Sequence, residues 1–268
     1  MKSELPHAST RVSAWLDGWQ RAGRLVLLLD YDGTLAPIVG RPELAVPAPG
    51  AREAVEQLRR RDGVEVAIVS GRGLADARER FGVERIAYAG HHGMEIEGPG
   101  VRRIHAEAAA ARPLLEQVAA ELSPALREID GALVEDKGLT LSIHYRLVDP
   151  ARTEQVRQLV TEAVARFPAL RLTEGKMVLE VRPRVEWDKG RAVEFLLESF
   201  APPAGAPVLY IGDDTTDEDA FRALRAWGNG SSGEGVLVSD DPPGATAARS
   251  SLRDPQEVVE LLRALAGP

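Results

Sequence analysis

Cysteine is absent from the sequence, which excludes disulfides and thiolate metal sites. Any bound metal must therefore be held by oxygen or imidazole. A dense lysine–arginine tract is also missing, and the 268 residues carry a net charge of −8. No nucleic-acid partner and no anionic membrane surface is expected, although a local basic pocket stays open. The opening stretch MKSELPHAST lacks the apolar core of a signal peptide, and no apolar run approaches membrane-spanning length. A cytoplasmic monomer is the expectation. What is present, 44% hydrophobic and 28% charged residues, is the makeup of a globular chain long enough for one large domain or two smaller ones.

The stretch RLVLLLDYDGT runs an apolar segment, Leu25–Leu29, straight into Asp30 and Asp32. An unbroken Val/Leu run is the pattern of a parallel strand covered on both faces. A helix over Thr10–Ala22 precedes it, and Ala51, Ala54, Val55 and Leu58 recur at helical spacing after it. VEVAIVSGR and RIAYAG read as the next buried strands, which implies a βαβ open sheet. The character then changes. Ala106–Ile129 reads as one helix, followed by ALVEDK and GLTLSIHYRL; a second helix, Ala151–Phe167, is followed by LRLTEG and KMVLEVRP. Leu139, Leu141, Ile143 and Tyr145 alternate with Thr140, Ser142, His144 and Arg146, as in an antiparallel sheet with one face on helices and the other open to water or ligand. From Trp187 the first rhythm resumes, with a helix over Lys189–Phe200, strands PVLYIGDD and GVLVSD, and a last helix over Asp254–Leu265. The expected architecture is α/β: a doubly wound parallel-sheet core, 1–106 and 184–268, interrupted by an inserted α+β domain, 107–183, of order αββαββ.

In open α/β sheets ligands gather at the carboxyl ends of the strands. Three such ends carry reactive groups: Asp30, Asp32 and Thr34; then Ser70 and Arg72; then Asp213, Asp214 and Asp217 of GDDTTDED. Lys189 opens a helix between the last two in sequence. Adjacent carboxylates repel, so a cation or a shared proton must offset the cost. A cluster offering only hard oxygen ligands suits Mg2+, and the lysine and serine donors suit a phosphoryl group. Each piece alone has an ordinary reading: a solvated turn or helix cap for D-x-D, a β-to-α turn for S-G-R, a surface lysine, an N-cap for DDTTDED. Their order, each at a strand end or a helix start, disfavours that reading for the set.

DYDGT, SGR, DKG and GDDTTDED together resemble the four ordered motifs of the haloacid dehalogenase superfamily of phosphotransferases, and the insert resembles its larger α/β cap. The resemblance covers nearly the whole chain. It implies that Asp30 is the nucleophile, forming an aspartyl-phosphate, and that Asp32 is general acid to the leaving alkoxide and then base for water. Mg2+ would sit between the Asp30 carboxylate, the Asp32 backbone carbonyl and Asp213, with Asp214 and Asp217 orienting ligands or metal-bound waters. Lys189, Ser70, Thr34 and backbone amides near Gly33 and Gly71 would neutralise charge on the transferring phosphoryl.

Substrate choice falls to the insert, since the core handles only phosphate. VEDKGLTLSIHYR, EGKMVLEVRP and AGHHG resemble signatures of the trehalose-6-phosphate phosphatase family. The resemblance puts Glu135, Lys137 and Glu180 on sugar hydroxyls. It gives Gly71, Arg72, His92, His144, Arg146 and Arg182 weaker roles at the substrate or in support. His91 and His92 are equally open to a structural reading. Trp187, in EWDKG, departs mildly from the family pattern, and packing at a hinge and contact with ligand both stay open. No glycosyltransferase-type synthase domain precedes these motifs, so the expectation is a stand-alone, Mg2+-dependent phosphatase whose partner is a small sugar phosphate, trehalose 6-phosphate. Rival readings are a phosphatase of sucrose 6-phosphate or a mannosyl phosphate, a phosphorelay receiver, and a non-catalytic sugar-phosphate sensor.

Overall fold

A computed structural model describes residues 5–40, 42–175, 177–227, 232–241 and 245–267. The chain divides into two compact units, Met1–Arg103 with Trp187–Pro268, and Ile104–Glu186. The first passage runs α1 (Val12–Ala22), β1 (Leu25–Leu29), α2 (Ala51–Arg59), β2 (Val64–Val69), α3 (Leu74–Phe81), β3 (Ala87–Gly90), β4 (Glu95–Gly98) and β5 (Val101–Ile104). The smaller unit holds α4 (Ala106–Ala110), α5 (Arg112–Arg127), β6 (Leu133–Asp136), β7 (Leu141–His144), α6 (Thr153–Ala165), β8 (Leu170–Gly175) and β9 (Val178–Pro183). The chain returns through α7 (Lys189–Phe200), β10 (Pro207–Gly212), α8 (Asp217–Ala226), β11 (Ser232–Val238), β12 (Ser250–Leu252) and α9 (Pro255–Ala266).

The larger unit is built on an eight-stranded sheet of order β12-β11-β10-β1-β2-β3-β4-β5. It is parallel from β12 to β3 and turns antiparallel at β4. Every residue of β1 is buried, because helices cover both faces. On one face Leu27, Leu29, Ile68 and Ile211 pack with Leu58, Phe81 and Leu262 from α2, α3 and α9. On the other, the Tyr210 ring meets Phe221 of α8 edge-on at 5.8 Å. The order reverses at β1, which lies between β10 and β2, and the crevice beyond that reversal is where such sheets take ligands.

In the smaller unit an antiparallel sheet, β6-β7-β9-β8, lays Leu141, Ile143, Tyr145, Leu179 and Val181 on Leu115, Val118, Leu122, Val156 and Val160 of α5 and α6. Alternation predicts an open opposite face, and the structure corrects this in part: Thr140 and Ser142 are buried, while His144 is half-buried and Arg146 exposed. The single helix expected over Ala106–Ile129 is broken at Ala111. Pro113 stands in the first turn of α5, where its missing N–H costs no helical hydrogen bond and its ring favours a fresh helix start. Strands β4, β5 and β12, of three or four residues each, are too short for a periodic signal. Among the described residues no helix is long and apolar enough to cross a membrane.

Candidate active site

Asp30 stands at the carboxyl end of β1, its amide donating to the Ile211 carbonyl of β10 at 2.9 Å. Lys189 opens α7 and donates from Nζ to Asp30 Oδ1 at 2.9 Å and to Asp217 Oδ1 at 2.6 Å. Asp217, the first residue of α8, takes three more partners from β10 and the following turn. Its Oδ1 accepts from the Tyr210 hydroxyl at 2.6 Å, and its Oδ2 accepts from the amides of Asp213 and Asp214 at 3.0 Å each. Carboxylate oxygens of Asp30, Asp213 and Asp217 all lie within 4.8 Å of one another.

Such crowding leaves its mark on the charges. Burial pushes Asp30 well above the ordinary carboxylate range; Lys189 opposes the shift, and Asp217 and Asp213 add to it. Burial likewise raises Asp213 to about 7, with Asp217 and Asp214 adding. Burial works against the Lys189 ammonium, but Asp217 and Asp30 more than offset it and hold its pKa above the ordinary value. Burial also opposes ionisation of Asp214, yet Lys189 and the donors of Thr216 draw it down to about 2. Hard oxygen donors with surplus negative charge fit a small divalent cation such as Mg2+. Gly33 makes the close approach feasible: at φ +88° it carries no Cβ, which would fall 2.1 Å from Asp213 Oδ2. The Thr34 hydroxyl, next in sequence and buried, donates to Asp213 Oδ1 at 3.4 Å.

Of the five acids expected around the metal, Asp30, Asp213 and Asp217 bring their carboxylates together; the carboxylates of Asp32, expected there through its backbone carbonyl, and of Asp214, expected in a supporting role, turn to other partners. Asp32 turns to Arg72, which grips it through Nε and Nη2 at 2.7 and 2.6 Å. Asp214 bends back to the turn before α8, accepting from the amide and hydroxyl of Thr216. Arg72, expected at the substrate, also donates to Asp76 at 2.8 Å and lies 5.1 Å over the Tyr31 ring. The Gly33 amide, one of the expected phosphoryl contacts, donates instead to the Ala36 carbonyl at 2.7 Å.

Ser70 is buried after β2, its hydroxyl oxygen accepting from the Arg72 amide at 3.2 Å. The AGHHG turn clamps this loop: the amide of His91 donates to the Arg72 carbonyl and that of His92 to the Ser70 carbonyl, at 2.7 and 2.8 Å. Both histidines are left-handed, at φ +53° and +57°. Non-glycine residues held there cost on the order of 1–3 kcal/mol each and cluster at functional sites. The His92 ring lies over Gly71, where an added Cβ would come 2.9 Å from it. Arg103 stacks on Trp187 at 4.3 Å and on Phe195 at 4.8 Å, so packing at the start of α7 is one role Trp187 fills. Sequence reasoning does not single out Tyr210 or Asp76. Tyr210 hides in an apolar strand, and Asp76 has the pattern of a surface acid on α3.

In the smaller unit, register sets Glu135, Ser142, Glu180 and Thr173 in one row across β6, β7, β9 and β8. At the usual strand spacing the two acids stand about 10 Å apart with a small serine between them. Glu135 Oε2 is 2.8 Å from His144 Nε2 and 3.8 Å from Lys137 Nζ. Glu180 is 3.6 Å from Arg182 Nε. Arg146 lies beyond β7, exposed.

A family model described as Trehalose-phosphatase matches residues 28–256. The chain is 43% identical over 270 residues to "Probable trehalose-phosphate phosphatase 2" of Oryza sativa subsp. japonica, covering 92% of this chain and 69% of that protein. It is 43% identical over 258 residues to "Trehalose 6-phosphate phosphatase RA3" of Zea mays, covering 91% and 70%. Among solved structures it is similar to the C-terminal domain of C. albicans trehalose-6-phosphate phosphatase, with a TM-score of 0.76 and 25% identity over 99% of both chains. A haloacid dehalogenase-like hydrolase from Bacteroides thetaiotaomicron shares the fold, with a TM-score of 0.62 at 16% identity over 89% of this chain and 98% of that one.

Proposed function

The chain belongs to the trehalose-phosphatase family, and from that membership we propose that it hydrolyses trehalose 6-phosphate to trehalose and inorganic phosphate, by way of a phosphoryl group carried on Asp30. The observation that carries this reading is the buried Lys189 ammonium bonded to Asp30 at the strand end. It fixes the carboxylate and supplies positive charge where phosphoryl oxygens would arrive.

In the first step an Asp30 oxygen attacks phosphorus, the bond from phosphorus to the sugar oxygen breaks, and Asp32 protonates the departing alkoxide. In the second, Asp32 takes a proton from water as the water oxygen attacks phosphorus, and phosphate leaves with Asp30 restored. Mg2+, held by Asp30, Asp213 and the Asp32 carbonyl, would add charge stabilisation and offset carboxylate repulsion. Thr34 and Ser70 offer hydroxyls beside that path. The four donors on Asp217 support a positioning role for it, and the Thr216 contacts support one for Asp214. Glu135, Lys137 and Glu180 hold sugar hydroxyls in this reading, with His144 and Arg182 orienting the two acids; Arg146, Gly71 and His92 complete the surroundings. The protein acts as a cytoplasmic monomer on a small sugar phosphate.

Phosphate release from trehalose 6-phosphate, sucrose 6-phosphate and glucose 6-phosphate, with Mg2+ and with EDTA, tests the reading. A strong Mg2+-dependent preference for the trehalose ester is expected. Equal slow release from all three would overturn the substrate, and turnover by a folded Asp30→Asn variant would overturn the nucleophile.

A further inference from the structure

We propose that Tyr210 is a positioning residue for phosphoryl transfer: its hydroxyl, by donating to Asp217, keeps the Lys189 ammonium on Asp30. The inference rests on the reading of Asp30 as nucleophile. Its physical basis is a chain of buried polar groups, Tyr210 to Asp217 at 2.6 Å, Asp217 to Lys189 at 2.6 Å, and Lys189 to Asp30 at 2.9 Å.

Tyr145, in the smaller unit, accepts from Arg157; the other two tyrosines of the larger unit's core show what an ordinary buried phenol does. Tyr31 donates to the Ala45 carbonyl and Tyr88 to the Val83 carbonyl, which satisfies the hydroxyl on local backbone. Tyr210 donates to a carboxylate instead, and to the very oxygen that also binds Lys189. That oxygen is therefore shared between an ammonium and a phenol, while Asp217 Oδ2 is occupied by two amides. Without the phenol, Asp217 Oδ1 would present its whole charge to Lys189 and draw it away from Asp30. The pull would be greatest once Asp30 carries the phosphoryl group and its carboxylate charge no longer holds the ammonium. The edge-on contact with Phe221, at 80°, sets the tilt of the Tyr210 ring and with it the position of the hydroxyl.

Tyr210→Phe removes the donor and leaves the ring. Its kcat is expected to fall roughly tenfold to a hundredfold, the scale of one hydrogen bond to a charged group, with KM for trehalose 6-phosphate little changed. A further readout separates positioning from packing. The sequence holds four lysines, Lys2, Lys137, Lys176 and Lys189, so a spectrum of 15Nζ-lysine protein is simple, and Lys189→Arg identifies the Lys189 signal. Tyr210→Phe is expected to move that signal and leave the other three in place. A lower Tm with kcat and the signal unmoved would overturn the proposal. Should the variant fail to fold, wild-type protein grown with 3-fluorotyrosine, a stronger donor, answers the same question: an unmoved Lys189 signal overturns the proposal, and a moved one upholds it. Asp30→Asn run alongside separates the two levels. Turnover by that variant removes the underlying reading, whereas its inactivity beside a fully active Tyr210→Phe removes only the role of Tyr210.

Discussion

Arg72 holds Asp32 by both carboxylate oxygens, at 2.6 and 2.7 Å, while its third nitrogen reaches Asp76 at 2.8 Å. Burial works against the guanidinium charge, but Asp32 and Asp76 more than offset it. A planar fork of this kind fixes the direction of the carboxylate as well as binding it. The role proposed for Asp32, serving first a sugar oxygen and then a water, depends on that direction.

Asp32→Asn is therefore expected to cost about 10²- to 10⁴-fold in kcat on trehalose 6-phosphate, the usual worth of a positioned acid or base. The loss in the first step should be much smaller with p-nitrophenyl phosphate, whose phenolate departs without a proton. Arg72→Lys keeps the charge and loses the fork, and is expected to lower kcat while leaving KM near wild type. The ratio kcat/KM, which reports the first step alone, checks this on both esters; equal losses in kcat/KM on the two would count against an acid role for Asp32.

Gly33→Ala places a methyl group 2.1 Å from Asp213 Oδ2, on a backbone at φ +88° that alanine adopts poorly. Either Asp213 withdraws from Asp30 or the turn after β1 distorts. Calorimetric titration with Mg2+ is expected to show weakened binding, accompanied by a large fall in kcat. Unaltered Mg2+ affinity in a folded variant would mean that Asp213 does not need its present position.

Much of this is legible in sequence because it is written in periods and strand ends. The unbroken Leu25–Leu29 run announces a parallel strand, and its abrupt end in Asp30 and Asp32 announces a site. Alternation over Leu139–Tyr145 locates the sheet face of the smaller unit. What stays hidden depends on partners distant in sequence. Nothing local to Arg72 says that it will fork Asp32, 40 residues away. Nothing in PVLYIGDD marks Tyr210 off from a core aromatic until α8 brings Asp217 beneath its hydroxyl. Strand β12 has only three residues, and what defines it is the pairing with β11 rather than its own composition.

As a proposed Mg2+ ligand, Asp213 would link the metal to pH. In the metal-free protein burial and the neighbouring Asp217 and Asp214 raise it to about 7, above its value of about 3.9 in an unfolded chain. The protonated carboxyl thus favours the fold in acid, and that contribution is lost as pH rises through about 7. In EDTA, Tm should fall over this range more steeply for wild type than for Asp213→Asn, which has nothing to titrate at that position. Mg2+ binding near pH 6 should release protons, seen as a heat that varies with the ionisation enthalpy of the buffer. A buffer-independent heat would show that the carboxylates are already ionised before the cation arrives.

In the proposed reading the row Glu135–Ser142–Glu180 separates recognition from chemistry. Two carboxylates about 10 Å apart across three strands, with a buried serine between them, suit hydroxyls spread over a sugar ring better than a phosphate, which they would repel. Glu135→Gln and Glu180→Gln are each expected to raise KM for trehalose 6-phosphate about tenfold, the scale of a lost charged hydrogen bond. Turnover of p-nitrophenyl phosphate, which has no hydroxyls to hold, should stay near wild type. Glu135→Gln also removes the charge facing His144 at 2.8 Å, so His144→Ala should reproduce part of its effect, and the double variant should fall short of the sum because the pair acts as one unit. Losses on both esters alike would mean that these acids support the fold of the sheet and have no part in choosing the sugar.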